Sequence, residues 1–354
     1  MPPRRRKRID PAHFELPVER INAGFYSDVY LNRSRDALRA GGRSARVTWQ
    51  VTAKRDGWLG GIDEAVALFK LCSGDFAALD VQALYEGDRV EAWDTVLLVE
   101  GDYAGFAHLE TLVLGALAHR TRVCTNVRRL VDAARPKPVY YFGARSDHAA
   151  LQPGDGLSAH VGGAASVSTD AQGAFTGKKG VGTIPHALIA AYAGDTVAAA
   201  QAMAAILPAD VPLVVLVDYA NDSVATSLAV ARALEGRLCG VRLDTSEYMV
   251  DRSVLPQMGG FAPTGVNSAL VWNVRNALDA EGFGDVKIVA SGGFNVPRIR
   301  AFEEEGVPVD AYGVGASVHE GRWDFTADVV RLGGVPQAKA GRELRPNGRL
   351  EKVK

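Results

Sequence analysis

VKIVASGGFN (286–295) and, one helical segment later, DAYGVGAS (310–317) are apolar strands that run out into glycines. Glycine lets an anion approach backbone N–H groups closely, and a following helix start adds a favourable dipole. Either turn alone is an ordinary strand end. Two on successive late strands form the usual barrel arrangement for a sugar phosphate. Neither matches the Walker pattern, and no GxGxxG follows a strand at the expected spacing.

The same period extends upstream. Short apolar runs occur at VYYFG (139–143), near Ala164 to Ser168, and at GVGTI (180–184), PLVVLVD (212–218) and GVRLD (240–244). Helical segments separate the later ones, at 195–206, 222–234, 268–281 and 296–305. Wholly apolar strands spaced by helices signal a parallel βα array of the α/β class. Strand ends line the site in both barrels and doubly wound sheets. Seven or so units favour an irregular, TIM-like barrel.

Before Pro136 and Pro138 the pattern differs. VTWQVTA (47–53) alternates apolar and polar, 62–71 reads as an amphipathic helix, and VQALYEG and WDTVLLVEG within 81–101 read as strands. A long helix is expected from Leu109 to about Ala134. The division expected is a flexible basic arm (1–20), a mixed α+β domain (21–135), a barrel (136–325) and a C-terminal segment (326–354).

The chain has 354 residues, 47% apolar, with a formal net charge of −1. Such balance gives no global pull toward nucleic acid or membrane surfaces. Cations concentrate locally, in Arg4 to Arg8 and in a tail carrying Lys339, Arg342, Arg345, Arg349, Lys352 and Lys354. Cys72, Cys124 and Cys239 form no CxxC pair and read as small core residues of a reducing, cytoplasmic protein. No signal peptide is expected after the basic start, and no apolar run reaches membrane-spanning length.

Asp218 and Asp244 end neighbouring strands and point into one mouth. Hard oxygen ligands there suit Mg²⁺ acting through water; capping of the following helix is the alternative, and for Asp222 it is at least as good. Arg242 and Asp244 alternate with Val241 and Leu243, so both leave one strand face, where they must meet a ligand or each other. His186, in GTIPHAL (182–188), sits at a strand-to-helix junction where an imidazole can take a phosphoryl group or serve structurally. Lys178 and Lys179 are candidate phosphate contacts or an exposed loop. Phe142 and Arg145 in YYFGARSDH (140–148) suit a planar aromatic carboxylate, with a core Phe and surface Arg as the plain alternative.

Taken in order, FYSDVYL (25–31), HLET (108–111), TRVCTNVRRLVDAA (121–134), FGARSDH (142–148), GTIPHAL (182–188), LVDYAND (216–222), GVRLDTSE (240–247), IVASGGFN (288–295), DAYGVGAS (310–317) and PQAKAGR (336–342) resemble the nicotinate phosphoribosyltransferase family. The resemblance implies a barrel with an N-terminal α+β domain completed by the C-terminal segment. It implies synthesis of nicotinate mononucleotide from nicotinate and phosphoribosyl pyrophosphate for NAD, by a homodimer or higher homo-oligomer with sites at the subunit interface. Tyr26 from one subunit would stack on the pyridine ring opposite Phe142 of the other, and Arg145 would contact the ring substituent. Arg242 and Asp244 would hold ribose and phosphates, Asp218 would help position Mg²⁺, and Gly292, Gly293, Gly315 and Ala316 would cradle the 5′-phosphate. His186 matches the histidine that ATP phosphorylates in the family, with Lys339 near phosphates in that step.

The chain is shorter than many relatives and lacks their cysteine knuckle. Nicotinamide-using relatives carry an Asp where Ala164, Ala165 and Ser166 stand here; lacking that carboxylate favours the acid substrate. Quinolinate or nicotinamide phosphoribosyltransferase and a non-catalytic phosphosugar-binding barrel remain the alternatives.

Overall fold

The computed structural model describes residues 7–354. They form two units, one running to Asn126 and resumed by Glu320–Lys354, the other spanning Val127–His319.

The first unit is built on a six-stranded antiparallel sheet. Its order is Val335–Pro336, Phe325–Leu332, Arg46–Ala53, Thr95–Asp102, Asp80–Ala83 and Glu351–Lys352. C-terminal residues thus supply strands on both sides: Trp49 pairs with Val329 on one flank and Val99 on the other, and Glu351 pairs with Ala83. Trp49, Phe69 and Phe106 pack with ring centroids about 6 Å apart at the heart of the core. Burying each such aromatic stabilises the unit by about 1.5–3 kcal/mol. The helix Ile62–Cys72 forms as its apolar period predicts and covers this core with Ala65, Val66, Leu68 and Phe69.

Two expectations are corrected here. The unit division falls at Asn126, inside the helix Glu110–Ala134, rather than near Pro136. Leu109, Val113 and Leu117 belong to the first unit's core, so composition around the prolines does not mark the break. The arm, read as flexible, is held in place at Arg8. The Arg8 guanidinium pairs with Asp63 at 2.7 Å, donates to the carbonyls of Ala83 and Leu84, and lies over the Tyr85 ring. Arg4, Arg5 and Arg6 of the basic run lie outside the described residues.

The second unit carries six parallel strands in the order Ser166–Val167, Val139–Tyr141, Ala311–Val314, Lys287–Ala290, Leu238–Leu243 and Leu213–Leu216. The GVGTI stretch is not a regular strand but bridges the two edges. Val181 N–H donates to the Val167 carbonyl at 2.8 Å, and Ile184 N–H donates to Val214 at 3.1 Å, beside a parallel bridge to Val215. The sheet therefore curls into an irregular βα barrel. Its helices begin where side-chain caps appear: Asp195, Asp222, Asn267 and Asn295 each accept from a backbone N–H one turn on. Asp222 is thus a cap. Cys72 and Cys124 are buried as expected, but Cys239 is exposed near the start of its strand.

Candidate active site

Strand alternation brings the barrel's charged side chains together. Arg242 and Asp244 project from one face of Leu238–Leu243 and its end, and their charged groups meet at 3.2 Å. The parallel neighbour places Val289 level with Arg242, so Ser291, two residues on, faces the same way. Arg242 Nε donates to Ser291 Oγ at 2.7 Å, and Arg242 NH1 donates to Thr183 Oγ1 at 3.2 Å. Ser291 Oγ lies 2.6 Å from Asp244 Oδ1. The Arg242 guanidinium also lies 5.1 Å from the Phe142 ring centroid. Its planar fork is fully engaged along one edge, while the side chain keeps partial exposure.

His186 and Asp218 form the second group. Asp218 Oδ1 and Oδ2 each lie 3.1 Å from His186 Nε2. His186 is 46% exposed and Asp218 only 8%. Burial raises the Asp218 carboxyl pKa, the imidazole opposes that shift, and nearby Asp244 adds to it. Two acids with this coupling and hard oxygen atoms are a chemically fitting donor set for a divalent cation.

The glycine turn is braced from beneath. Gly292 and Gly293 take left-handed backbone angles, φ 85° and 73°. Arg298 NH1 donates to the Gly292 carbonyl and NH2 to the Val266 carbonyl, both at 2.6 Å, while its guanidinium lies over the Phe294 ring. Ser317 Oγ donates to the Phe294 carbonyl at 2.8 Å and links the second glycine strand end to the first. Gly315 passes beside the Phe142 carbonyl, with Ala316 opening the next short helix.

Phe142 faces a cavity of about 450 Å³, lined also by Tyr140, Ser166, Thr183, Val214 and Val289. Ser166 Oγ is buried there with no hydrogen-bond partner. Arg145 ends the turn after Phe142 and is exposed. Lys178 Nζ donates to the Ala165 carbonyl, and Lys179 pairs with Asp170 in solvent, so both lysines have local partners. Tyr26 and Lys339 belong to the first unit; both are exposed. Sequence reasoning missed Ser291, Thr183 and Arg298 as supports. Strand register would have exposed Ser291, because it is two positions past the residue level with Arg242.

Residues 28–121 match the family model described as quinolinate phosphoribosyl transferase, N-terminal domain. A solved structure titled nicotinate-nucleotide pyrophosphorylase from Pyrococcus furiosus superimposes with a TM-score of 0.80 at 32% identity, covering 96% of this chain and 85% of that one. The chain belongs to the nicotinate phosphoribosyltransferase family of type II phosphoribosyltransferases. Nicotinate phosphoribosyltransferase pncB1 of Mycobacterium tuberculosis is 29% identical over 284 residues, 78% of this chain. The aligned stretch spans only 59% of that relative's length. Human nicotinic acid phosphoribosyltransferase, at 18% identity, shares the fold with a TM-score of 0.67, covering 90% of this chain and 77% of its own. Family membership accounts for a barrel of this type with a separate α+β unit.

Proposed function

We propose that this chain joins nicotinate to phosphoribosyl pyrophosphate, giving nicotinate mononucleotide and pyrophosphate in NAD biosynthesis. One observation carries the reading: the Arg242–Asp244–Ser291 network stands beside an aromatic face, Phe142, and a left-handed glycine turn, so cation, anion and ring-binding surfaces share one mouth. The names of the mycobacterial and human relatives agree with it.

In this reading the pyridine nitrogen displaces pyrophosphate from C1 of the sugar through an oxocarbenium-like transition state, with no protein nucleophile. Catalysis comes from alignment and from charge complementarity. Phe142 supplies one face of the ring site, with the partner subunit's Tyr26 on the other, and Arg145 takes the carboxylate. Arg242 and Asp244 hold ribose and phosphates. Gly292, Gly293, Gly315 and Ala316 receive the 5′-phosphate. Mg²⁺ held by Asp218 and Asp244 through water would neutralise charge on the pyrophosphate. The buried, unpartnered Ser166 Oγ offers a neutral hydrogen-bonding group to the ring, which favours nicotinate over a substrate needing a carboxylate acceptor.

His186 takes the ATP γ-phosphoryl group as its bond to ADP breaks. Asp218 engages Nε2, leaving Nδ1 for the phosphoryl group. Lys339 contacts phosphates in that step. The exposed Phe25, Tyr26, Val29 and Tyr30 form an apolar surface suited to a second copy of the chain. A cytoplasmic setting fits these substrates.

The test is product formation with nicotinate, nicotinamide and quinolinate in parallel, each with and without ATP. Nicotinate mononucleotide from nicotinate, with ADP formed in step, supports the reading. Release of carbon dioxide from quinolinate would assign the chain to the decarboxylating reaction instead. Unchanged phosphoribosyl pyrophosphate with every pyridine would leave only a phosphosugar-binding role.

A further inference from the structure

Two loops carry one face of the ring site and part of the phosphate site in the proposed reaction. Residues 142–148 hold Phe142 and Arg145, and residues 315–319 hold Gly315 and Ala316. They leave adjacent parallel strands, Val139–Tyr141 and Ala311–Val314, in which Tyr141 is level with Val314. Neighbouring strands alone do not fix the spacing of the loops beyond them, because those residues lack ladder hydrogen bonds.

Three contacts supply what the ladder lacks. Phe142 N–H donates to the Val314 carbonyl at 2.7 Å. Tyr141, fully buried, places its hydroxyl 3.0 Å from His319 Nε2. On the other side of the same imidazole, Nδ1 lies 3.9 Å from Asp147 Oδ2. His319 therefore hydrogen-bonds to the base of the first loop through Tyr141 and faces the Asp147 carboxylate at its far end within ion-pair range, while itself closing the second loop. The Asp147 carboxylate favours a proton on Nδ1, which leaves Nε2 to accept from the Tyr141 hydroxyl. Gly143 is part of this packing: a Cβ there would lie 2.3 Å from the Tyr141 ring, so the loop passes directly over that ring.

We propose that His319 is a positioning residue that straps the ring-binding loop, 142–148, to the phosphate-binding loop, 315–319, through Tyr141 and Asp147. The strap sets the distance between the bound pyridine acid and the bound 5′-phosphate, and so the approach of ring nitrogen to sugar carbon. Small errors in that approach are costly because the reaction depends on alignment rather than on a protein nucleophile. Its use in catalysis rests on the function proposed above; the strap itself does not.

The full-length protein gives two independent readouts. Amide hydrogen exchange is followed in both loops for wild type, His319→Ala, His319→Gln, Tyr141→Phe and the His319→Ala/Tyr141→Phe double variant. Faster exchange in both loops of His319→Ala, with recovery in His319→Gln, is the expected result, since the Gln amide can still pair with the tyrosine hydroxyl. In steady-state assays KM for nicotinate and for phosphoribosyl pyrophosphate should rise together, roughly tenfold, as expected for one buried hydrogen bond, with kcat changing far less. The double variant should be no worse than the worse single one, because both remove the same contact. Faster exchange in one loop only, or losses that multiply in the double variant, overturns the strap. Lower thermal stability with both KM values unchanged overturns its role in positioning. If wild type makes no nicotinate mononucleotide, the proposed function fails, and the exchange data alone decide the strap.

Discussion

Arg242 and Asp244 are two residues apart along one strand and its end, their charged groups meet at 3.2 Å, and Ser291, just past the end of the neighbouring strand, hydrogen-bonds to both. All three guanidinium nitrogens of Arg242 have a partner, on Ser291, Thr183 and Asp244. Arg242→Ala should therefore lower kcat/KM for nicotinate mononucleotide formation by about 10²–10³-fold, the usual cost of losing a fixed charged donor. Arg242→Lys should recover little, because an ammonium cannot reproduce three directed contacts. Wild-type turnover in either variant would remove the residue from the reaction. Urea unfolding should show a loss of about 1–3 kcal/mol in Arg242→Ala, since Asp244 keeps Ser291 but loses its cation.

Ser291→Ala separates support from chemistry. The hydroxyl is buried and accepts from Arg242 while donating toward Asp244. Its removal leaves two charged groups underbonded and should destabilise the fold by about 1–3 kcal/mol. The guanidinium still has Asp244 and Thr183, so kcat/KM should fall well short of the Arg242→Ala loss. Equal kinetic losses in the two variants would show that Ser291 acts on substrate directly.

The His186–Asp218 pair predicts a pH effect with a definite sign. Burial holds the Asp218 carboxyl above its ordinary value, and the imidazole restrains that rise. A carboxyl whose pKa is raised in the folded state adds stability below the unfolded value, and the contribution is lost as pH rises through the folded value. Wild type should accordingly lose stability relative to Asp218→Asn as pH increases across that interval, measured by urea unfolding at each pH. In His186→Ala the restraint disappears, so the acid limb of the rate profile for uncoupled synthesis should move to higher pH. The same variant should make no ADP in step with product. An acid limb that stays in place would mean that Asp218 titration does not govern the rate.

The barrel and its polar mouth were legible from the chain because apolar strands ending in Asp or Gly repeat with helix-length spacing. Arg242 and Asp244 follow from period-two alternation, and Asp222 reads as the cap of its helix. What escaped was non-local. Ser291 bridges the ion pair only once two strands are in register, and Arg298 braces the glycine turn by reaching back across its own helix start to Gly292. Arg8 read as part of a loose basic run because its partner, Asp63, lies 55 residues away. Lys178 and Lys179 looked free for phosphate because a carbonyl partner and a surface carboxylate leave no trace in the local pattern.

Gly313 tests whether the ring face is set by close packing. Its backbone is in an ordinary strand, so conformational freedom is not the reason for glycine. Space is the reason: a Cβ at this position would lie 2.6 Å from a Phe142 ring carbon and 3.3 Å from Ser291 Cβ. Gly313→Ala must therefore push the Phe142 ring away from its place beside the Arg242 guanidinium, at an overpacking cost of about 1–3 kcal/mol. KM for nicotinate should rise by roughly tenfold or more, the equivalent of losing about 1.4 kcal/mol of ring contact. KM for phosphoribosyl pyrophosphate should change less, since the Gly292–Gly293 turn is braced separately by Arg298. Parallel increases in both KM values would instead mean that displacing Phe142 disturbs the whole mouth, and unchanged values would show that its ring takes no part in holding the pyridine.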